Sequence, residues 1–295
     1  MRIAVAARLL AAVLATLATG CTSALFVGAN APSYFSSVRS RTNIPYGNAP
    51  RQRLDVYAPP GAHQLPVVVF WYGGAWSSGH KSQYRFVGVA LAERGCIVVV
   101  ADYRLYPAVK YPAFIDDGAL AVAWTEQHAR DFGGDPSRIV LMGHSAGAHL
   151  AATLAVEPHF LEKAGADRRA IVGWIGLSGP YALDPDTDEL RSIFAAPYGL
   201  ADWQPLRHVT ADAPPALLLH GEDDRRVYAR QAIEMRDALE RRGVRVDLEL
   251  YPGRGHSDTI ASFARLARGR TAALEQTARF VASLRPQAAS ALQNK

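Results

Sequence analysis

The chain is short of cysteine: only Cys21 and Cys96 occur in 295 residues. Two cysteines so placed give no internal disulfide framework, and Cys96, at the head of Ile97-Val98-Val99-Val100, reads as a small buried hydrophobe. Blocks of lysine and arginine are also missing. The formal charge of +5 is spread along the sequence, which argues against nucleic-acid binding. There is no H-E-x-x-H, no Cys/His cluster and no dinucleotide fingerprint after the first strands, so neither a metal nor a cofactor is expected. Internal repeats and low-complexity linkers are lacking as well, which leaves one domain.

What is present begins with a leader. Arg2 and Arg8 precede the apolar run Leu9 to Ala18, followed by the small residues Thr19 and Gly20. That pattern is a secretory signal peptide over residues 1–20, too short to span a bilayer permanently. Leu17-Ala18-Thr19-Gly20-Cys21 resembles a bacterial lipobox, which implies lipidation of Cys21. The protein is then expected to be an exported lipoprotein, anchored in the membrane and, with Thr22 after the cysteine, sorted to the outer membrane in a Gram-negative source. Residues 21–42, rich in Ser, Ala and Asn, read as a tether. About 275 residues remain after cleavage, ample for one substantial core.

From Asn43 strands and helices alternate. Strands are expected at Arg53 to Tyr57, Pro66 to Tyr72, Ile97 to Tyr103, Ile139 to Gly143, Ile171 to Leu177, Ala216 to His220 and Val244 to Tyr251. Helices are expected at Ser82 to Arg94, Phe114 to Asp131, Val227 to Arg242 and Asp258 to Leu284. The class is α/β, a mostly parallel sheet covered on both faces. Gly179 to Ala213 breaks the alternation with four prolines and the aromatics Tyr181, Phe194, Tyr198 and Trp203. It reads as a short, stiff cap whose rings, with Trp76, line an apolar pocket.

The centre of the pattern is Gly143-His144-Ser145-Ala146-Gly147, between an apolar strand and an alanine-rich segment. G-x-S-x-G in that setting is a sharp strand-to-helix turn that lifts the serine hydroxyl above the sheet. A serine needs a base, and the base needs a group that orients it. His256 fits as the base, because it alone among nine histidines combines a late strand end with a glycine-rich loop. His149 reads as a packing residue, and His128 and His159 as exposed. The acid belongs to the loop after Leu219-His220, where Glu222, Asp223 and Asp224 compete.

That loop is similar to the H-G-x-x-D-x-x-V acid loop of α/β-hydrolase esterases, which implies Asp224 as the acid. The resemblance runs from about Pro45 to Ala282. Trp71-Tyr72-Gly73-Gly74-Ala75-Trp76 resembles the H-G-G-x-W oxyanion loop of the hormone-sensitive-lipase-like and feruloyl-esterase-like carboxylesterases. Asp102-Tyr103-Arg104-Leu105-Tyr106-Pro107 looks like their D-Y-R-L-x-P, and Phe132 to Ile139 like the segment before their serine strand. Gly79-His80-Lys81 after the oxyanion loop is most similar to the prenylcysteine methylesterase branch. The resemblance implies an α/β-hydrolase fold and a serine carboxylesterase for a small or short-chain ester, working through an acyl-enzyme. Backbone N–H groups around Gly73, Gly74 and Ala146 would form the oxyanion hole. Asp102 and Asp117 would be structural, and Tyr72 replaces a histidine common in relatives. The partners implied are a small-molecule ester and a membrane; oligomeric state is left open. The rivals are an arylformamidase-type amide hydrolase and a catalytically silent envelope lipoprotein; dehalogenase chemistry, which needs an acid at position 145, is excluded by Ser145.

Overall fold

A computed structural model describes residues 24–286. The signal-peptide and Cys21 expectations therefore lie outside the described residues. Eight strands form one sheet: β1 (Arg39–Pro45), β2 (Arg53–Ala58), β3 (Leu65–Trp71), β4 (Ile97–Ala101), β5 (Gly134–His144), β6 (Ile171–Leu177), β7 (Ala216–Gly221) and β8 (Val246–Tyr251). Their order is β1-β2-β4-β3-β5-β6-β7-β8. The two junctions of β2, with β1 and with β4, are antiparallel, and every other pairing is parallel.

Every residue of β4, β6 and β7 is buried. A strand can be apolar throughout only when both faces of its sheet are covered. Helices α1 (Arg85–Ala92), α2 (Ala113–His128), α3 (Ala146–Val156), α4 (Arg230–Arg241) and α5 (Ala273–Ser283) supply the cover. Among them α1 touches α5, α2 touches α3, and α4 packs on β7 and β8. The serine helix α3 is buried along its whole length, which its alanines permit by letting the sheet backbone come close. Among the described residues no helix is long and apolar enough to cross a membrane.

Four expectations change. Residues 24–42 are not a free tether within the described part: residues 24–30 are helical, Ala31–Phe35 is a 3₁₀ turn, and Arg39–Pro45 is the edge strand. That strand carries no apolar alternation because its residues face solvent, and it is held by backbone pairing to β2. The long helix expected from Asp258 to Leu284 is broken into Asp258–Ala261, a 3₁₀ turn at Arg265–Ala267 and α5, around Gly269. Ser82 to Arg94 begins as a 3₁₀ turn (Lys81–Tyr84) and becomes α-helical only at Arg85. The insertion between β6 and β7 contains short helices at Asp188–Ile193 and Leu200–Trp203. Its Tyr181, Phe194 and Trp203 are buried in the protein rather than turned to a pocket.

The insertion is fastened to α3. His149 Nε2 meets the Trp203 carbonyl at 2.7 Å, and Glu157, at the end of α3, lies 3.7 Å from His208. Glu157 is buried, and its Oε1 has no partner among the described residues. Burial first, and the nearby Asp202 second, push its carboxyl up to about 8. A carboxyl raised in the folded state holds a proton that the unfolded chain has lost, so stability falls as pH rises from about 4.5 to 8. Glu157→Gln removes that loss. Its melting temperature at pH 8 should exceed that of the parent by about 2–4 °C, roughly 1 kcal/mol, and match it at pH 4. Equal melting curves at pH 8 would show that Glu157 is solvated.

Candidate active site

The chain runs from β3 outward to β4 and then returns to add β5 on the other side of β3. At such a reversal the loops leaving the two strands separate and open a crevice at their carboxyl ends. The loops after β3 and β5 carry Tyr72-Gly73-Gly74 and Ser145. Those after β7 and β8 carry Asp224 and His256. All four leave the same end of the sheet.

Ser145 sits at φ 55°, ψ −121°, between β5 and α3. Such a conformation is uncommon for a residue with a side chain and is held by its surroundings. The two glycines explain how. A Cβ on Gly143 would lie 2.0 Å from the Gly147 carbonyl oxygen, and one on Gly147 would lie 2.1 Å from that of Trp71. The turn closes only without those atoms.

His256 Nε2 lies 2.9 Å from Ser145 Oγ, and its Nδ1 lies 2.7 Å from Asp224 Oδ2. The competing acids fall away: Glu222 and Asp223 are exposed, while Asp224 is buried. Burial opposes its charge. Hydrogen bonds from His220 and His256, with the Val227 N–H, outweigh that and hold the carboxyl well below the usual range. Oδ1 accepts the N–H groups of Arg226 and Val227 at 2.9 Å each. This fixes the acid so that Oδ2 faces the imidazole.

Gly73 stands against the serine; a Cβ there would be 2.8 Å from Ser145 Cβ. Gly74 has φ +127°, and a side chain on it would strike the Ser78 carbonyl. Among the described residues, the N–H groups of Gly73, Gly74 and Ala146 have no backbone acceptor. Three free donors border one cavity with Ser145 and His256. Such donors can receive charge developing on an acyl oxygen.

Tyr72, where the resemblance led one to expect a histidine, turns away from this cavity. Its hydroxyl donates to Asp102 Oδ1 at 2.5 Å and accepts from Arg51 at 2.8 Å. Its ring stacks between Tyr84 and Tyr103, 5.4 and 5.0 Å away. Asp102 also accepts the Lys81 N–H at 2.7 Å, so Tyr72 ties the oxyanion loop to the following turn. Asp117 accepts from Gln52 and from the backbone and guanidinium of Arg104. Both aspartates hold loops, as the resemblance implied.

Two histidines beside Ser145, His256 and Asp224 carry no signal of their own in the sequence. His220, buried, reaches Asp224 Oδ2 at 3.2 Å and the Val227 carbonyl at 2.8 Å. His144, the variable residue of G-x-S-x-G, meets the His256 carbonyl at 3.0 Å through Nε2. Burial, aided by the neighbouring His256, pushes His144 down to about 3, so it is neutral and donates to that carbonyl. The His144 contact is long-range, whereas His220 reaches partners four and seven residues further along its own loop. His149 packs as expected, whereas His128, expected exposed, stacks on Trp124 at 4.4 Å.

The cavity encloses about 680 Å³. Its wall differs from the expected aromatic cap. Trp76 contributes, but the insertion supplies Pro180, Leu183 and Leu190 in place of its rings. Phe194 is buried and meets Trp76 edge-on at 4.7 Å, while Tyr198 meets Tyr111 at 5.2 Å and stays 38% exposed. Large rings gain more from full burial in a second small core than from lining a wet cleft. Phe26 and Tyr84 also line the cavity.

The profile of the BD-FAE family matches residues 54–239. The chain belongs to the BD-FAE family. It is similar to an isoprenylcysteine alpha-carbonyl methylesterase of Arabidopsis thaliana, 36% identical over 77% of this chain and 58% of that one. It is also similar to the esterase LipC of Mycobacterium tuberculosis, 32% identical over 76% of this chain and 61% of the other. This BD-FAE chain spans 52–59% of the length of three Arabidopsis methylesterase relatives. Among solved structures it superposes on esterase 2 of Thermogutta terrifontis with TM-score 0.70 and 26% identity, covering 85% of this chain and 97% of that one. The fold is the α/β-hydrolase fold, as expected.

Proposed function

We propose that this chain is a serine carboxylesterase. Ser145 attacks the acyl carbon, His256 takes its proton and returns it to the leaving alcohol, and Asp224 keeps the imidazole in the required tautomer. The N–H groups of Gly73, Gly74 and Ala146 stabilise the oxyanion, and water then releases the acid from the acyl-enzyme. The single observation that carries this reading is the unbroken Ser145–His256–Asp224 hydrogen-bond chain, whose first two members line the cavity. Relatives named as esterases support ester rather than amide hydrolysis.

The substrate class is an ester of a small alcohol or short acyl chain, in line with relatives named methylesterases. The insertion is pinned to α3 at the Trp203 carbonyl, to Tyr111 at the Asp202 carbonyl and to Gln231 at the Ala182 N–H, so it does not swing as a lid would. A series of p-nitrophenyl esters from acetate to palmitate tests this. The best turnover should fall at about two to six carbons, without a jump where the substrate passes its solubility limit. A rate that climbs with chain length and jumps at that limit would make the protein a lipase, and cleavage of N-formylkynurenine with no ester turnover would make it a formamidase.

The reading extends to location. We take the protein to be an exported lipoprotein, held by acyl chains on Cys21 in the outer membrane where the source has one. Several acyl chains give stable anchoring where one gives only marginal binding. Cys21→Ser should move the protein to the soluble fraction. A wild-type protein that is soluble, with an unmodified N-terminus by mass spectrometry, would overturn it.

A further inference from the structure

The docked N-terminal segment poses a question that catalysis does not answer. Leu25, Val27, Tyr34 and Phe35 are 73%, 69%, 66% and 89% exposed. They are half of the large hydrophobic residues that stand exposed among the described residues, gathered within eleven positions. Their exposure does not come from a loose segment. Asn30 donates to the carbonyls of Ser82 and Gln83 at 3.0 and 3.1 Å and accepts the Phe86 N–H at 2.9 Å. Ser33 donates to the Asn30 carbonyl, and Ser36 to Glu93. The clamp holds four apolar side chains in water, which is unfavourable for a protein whose surroundings are only water.

We propose that residues 24–35 form a lipid-contacting face, seated on the bilayer that carries the Cys21 anchor, with the ester-binding cavity opening beside it. The proposal rests on the lipoprotein reading above. Three observations favour a bilayer as the occupant. Ala24 is three residues from Cys21, and three extended residues reach at most about 11 Å. An acylated Cys21 therefore holds this face at the headgroups, whatever path the intervening residues take. Charge agrees with that. Residues 24–41 contain no Asp or Glu, while Arg39 and Arg41 are exposed and the Arg85 guanidinium covers the Tyr34 ring at 4.6 Å. A cationic rim around apolar side chains suits an anionic lipid surface. Finally, Phe26 lies between the exposed Leu25 and Val27 and faces inward, 5.2 Å from Tyr84, lining the same cavity as Ser145. The face and the cavity mouth are thus contiguous, and an ester partitioned into the bilayer reaches the serine along Phe26.

The test removes both the leader and the anchor. Protein starting at residue 21 with Cys21→Ser is mixed with vesicles of phosphatidylethanolamine and phosphatidylglycerol and floated on a gradient. It should float with the vesicles, less so at high salt. Leu25→Ser with Val27→Ser, and Tyr34→Ser with Phe35→Ser, should each reduce the bound fraction, and all four together should reduce it at least tenfold. Turnover of p-nitrophenyl acetate should stay within about twofold, which certifies the fold and spares the catalytic reading. Equal flotation of parent and fourfold variant, or no flotation of either, overturns the proposal. So does sedimentation showing a parent dimer that the fourfold variant converts to monomer, since the patch would then cover a second copy. The lipoprotein reading fails separately, by an unmodified Cys21 in the N-terminal mass of the wild type.

Discussion

Ser145→Ala should lower turnover of a soluble ester about 10⁴–10⁶-fold while leaving the protein folded. The size follows from what is removed. The serine oxygen lies 2.9 Å from His256 Nε2, so on the proposed mechanism the variant keeps the base and the oxyanion donors but has nothing to bond to the acyl carbon. Knock-outs of this kind lose almost all catalysis that depends on the triad as a unit, roughly 5.5–8 kcal/mol of transition-state stabilisation. The fold is spared because the Ser145 side chain makes no capping hydrogen bond to α3, and its N–H still reaches the Leu177 carbonyl at 2.9 Å. Alanine adopts the same strained backbone at similar cost. A fluorophosphonate probe supplies the check: it should label the parent and leave the variant unlabelled. Equal labelling would move the nucleophile elsewhere.

Asp224→Asn should cost about 10³–10⁴ in turnover, whereas Asp223→Asn should change it less than about twofold. The asymmetry follows from how the Asp224 oxygens are occupied. Oδ1 takes two backbone N–H groups, which the amide oxygen of asparagine can keep. The amide NH₂ then stands where Oδ2 was, facing His256 Nδ1 at 2.7 Å and His220 Nε2 at 3.2 Å. Two donors confront a third. His256 escapes by carrying its proton on Nε2, the tautomer that cannot accept the serine proton. Asp223 is exposed, and its loop is held by its backbone N–H on the Arg254 carbonyl, so its side chain can change freely. Steady-state kinetics on both variants, with circular dichroism to confirm folding, decides it. The reverse ranking would give the role to Asp223.

The elements that depend on local steric rules or on strong apolar patterning were readable from the chain alone. G-x-S-x-G is such a case: the contacts a Cβ would make at Gly143 and Gly147 are within the turn and the strand beside it, so the spacing by itself specifies the geometry. The central strands were readable because a strand covered on both faces must be apolar throughout. His256 was readable from its loop, and Asp224 only with the help of a resemblance. The three neighbouring carboxylates are alike in sequence, and what singles out Asp224 is its burial and its contacts to His220, four residues before it, and to His256, far along the chain.

What the chain concealed depended on partners far away. Arg39–Pro45 has no apolar alternation, and β2 makes it a strand by offering an unpaired edge. Asn30 looks like linker composition until Ser82, Gln83 and Phe86 supply its three partners, more than fifty residues away. The insertion's aromatics are as apolar as a pocket wall needs to be, yet Tyr111, Phe114 and His149 draw them into a second core. Composition sets how much apolar surface must be hidden. Only packing decides which side chains are hidden and which are left, as Phe26 is, to face the serine.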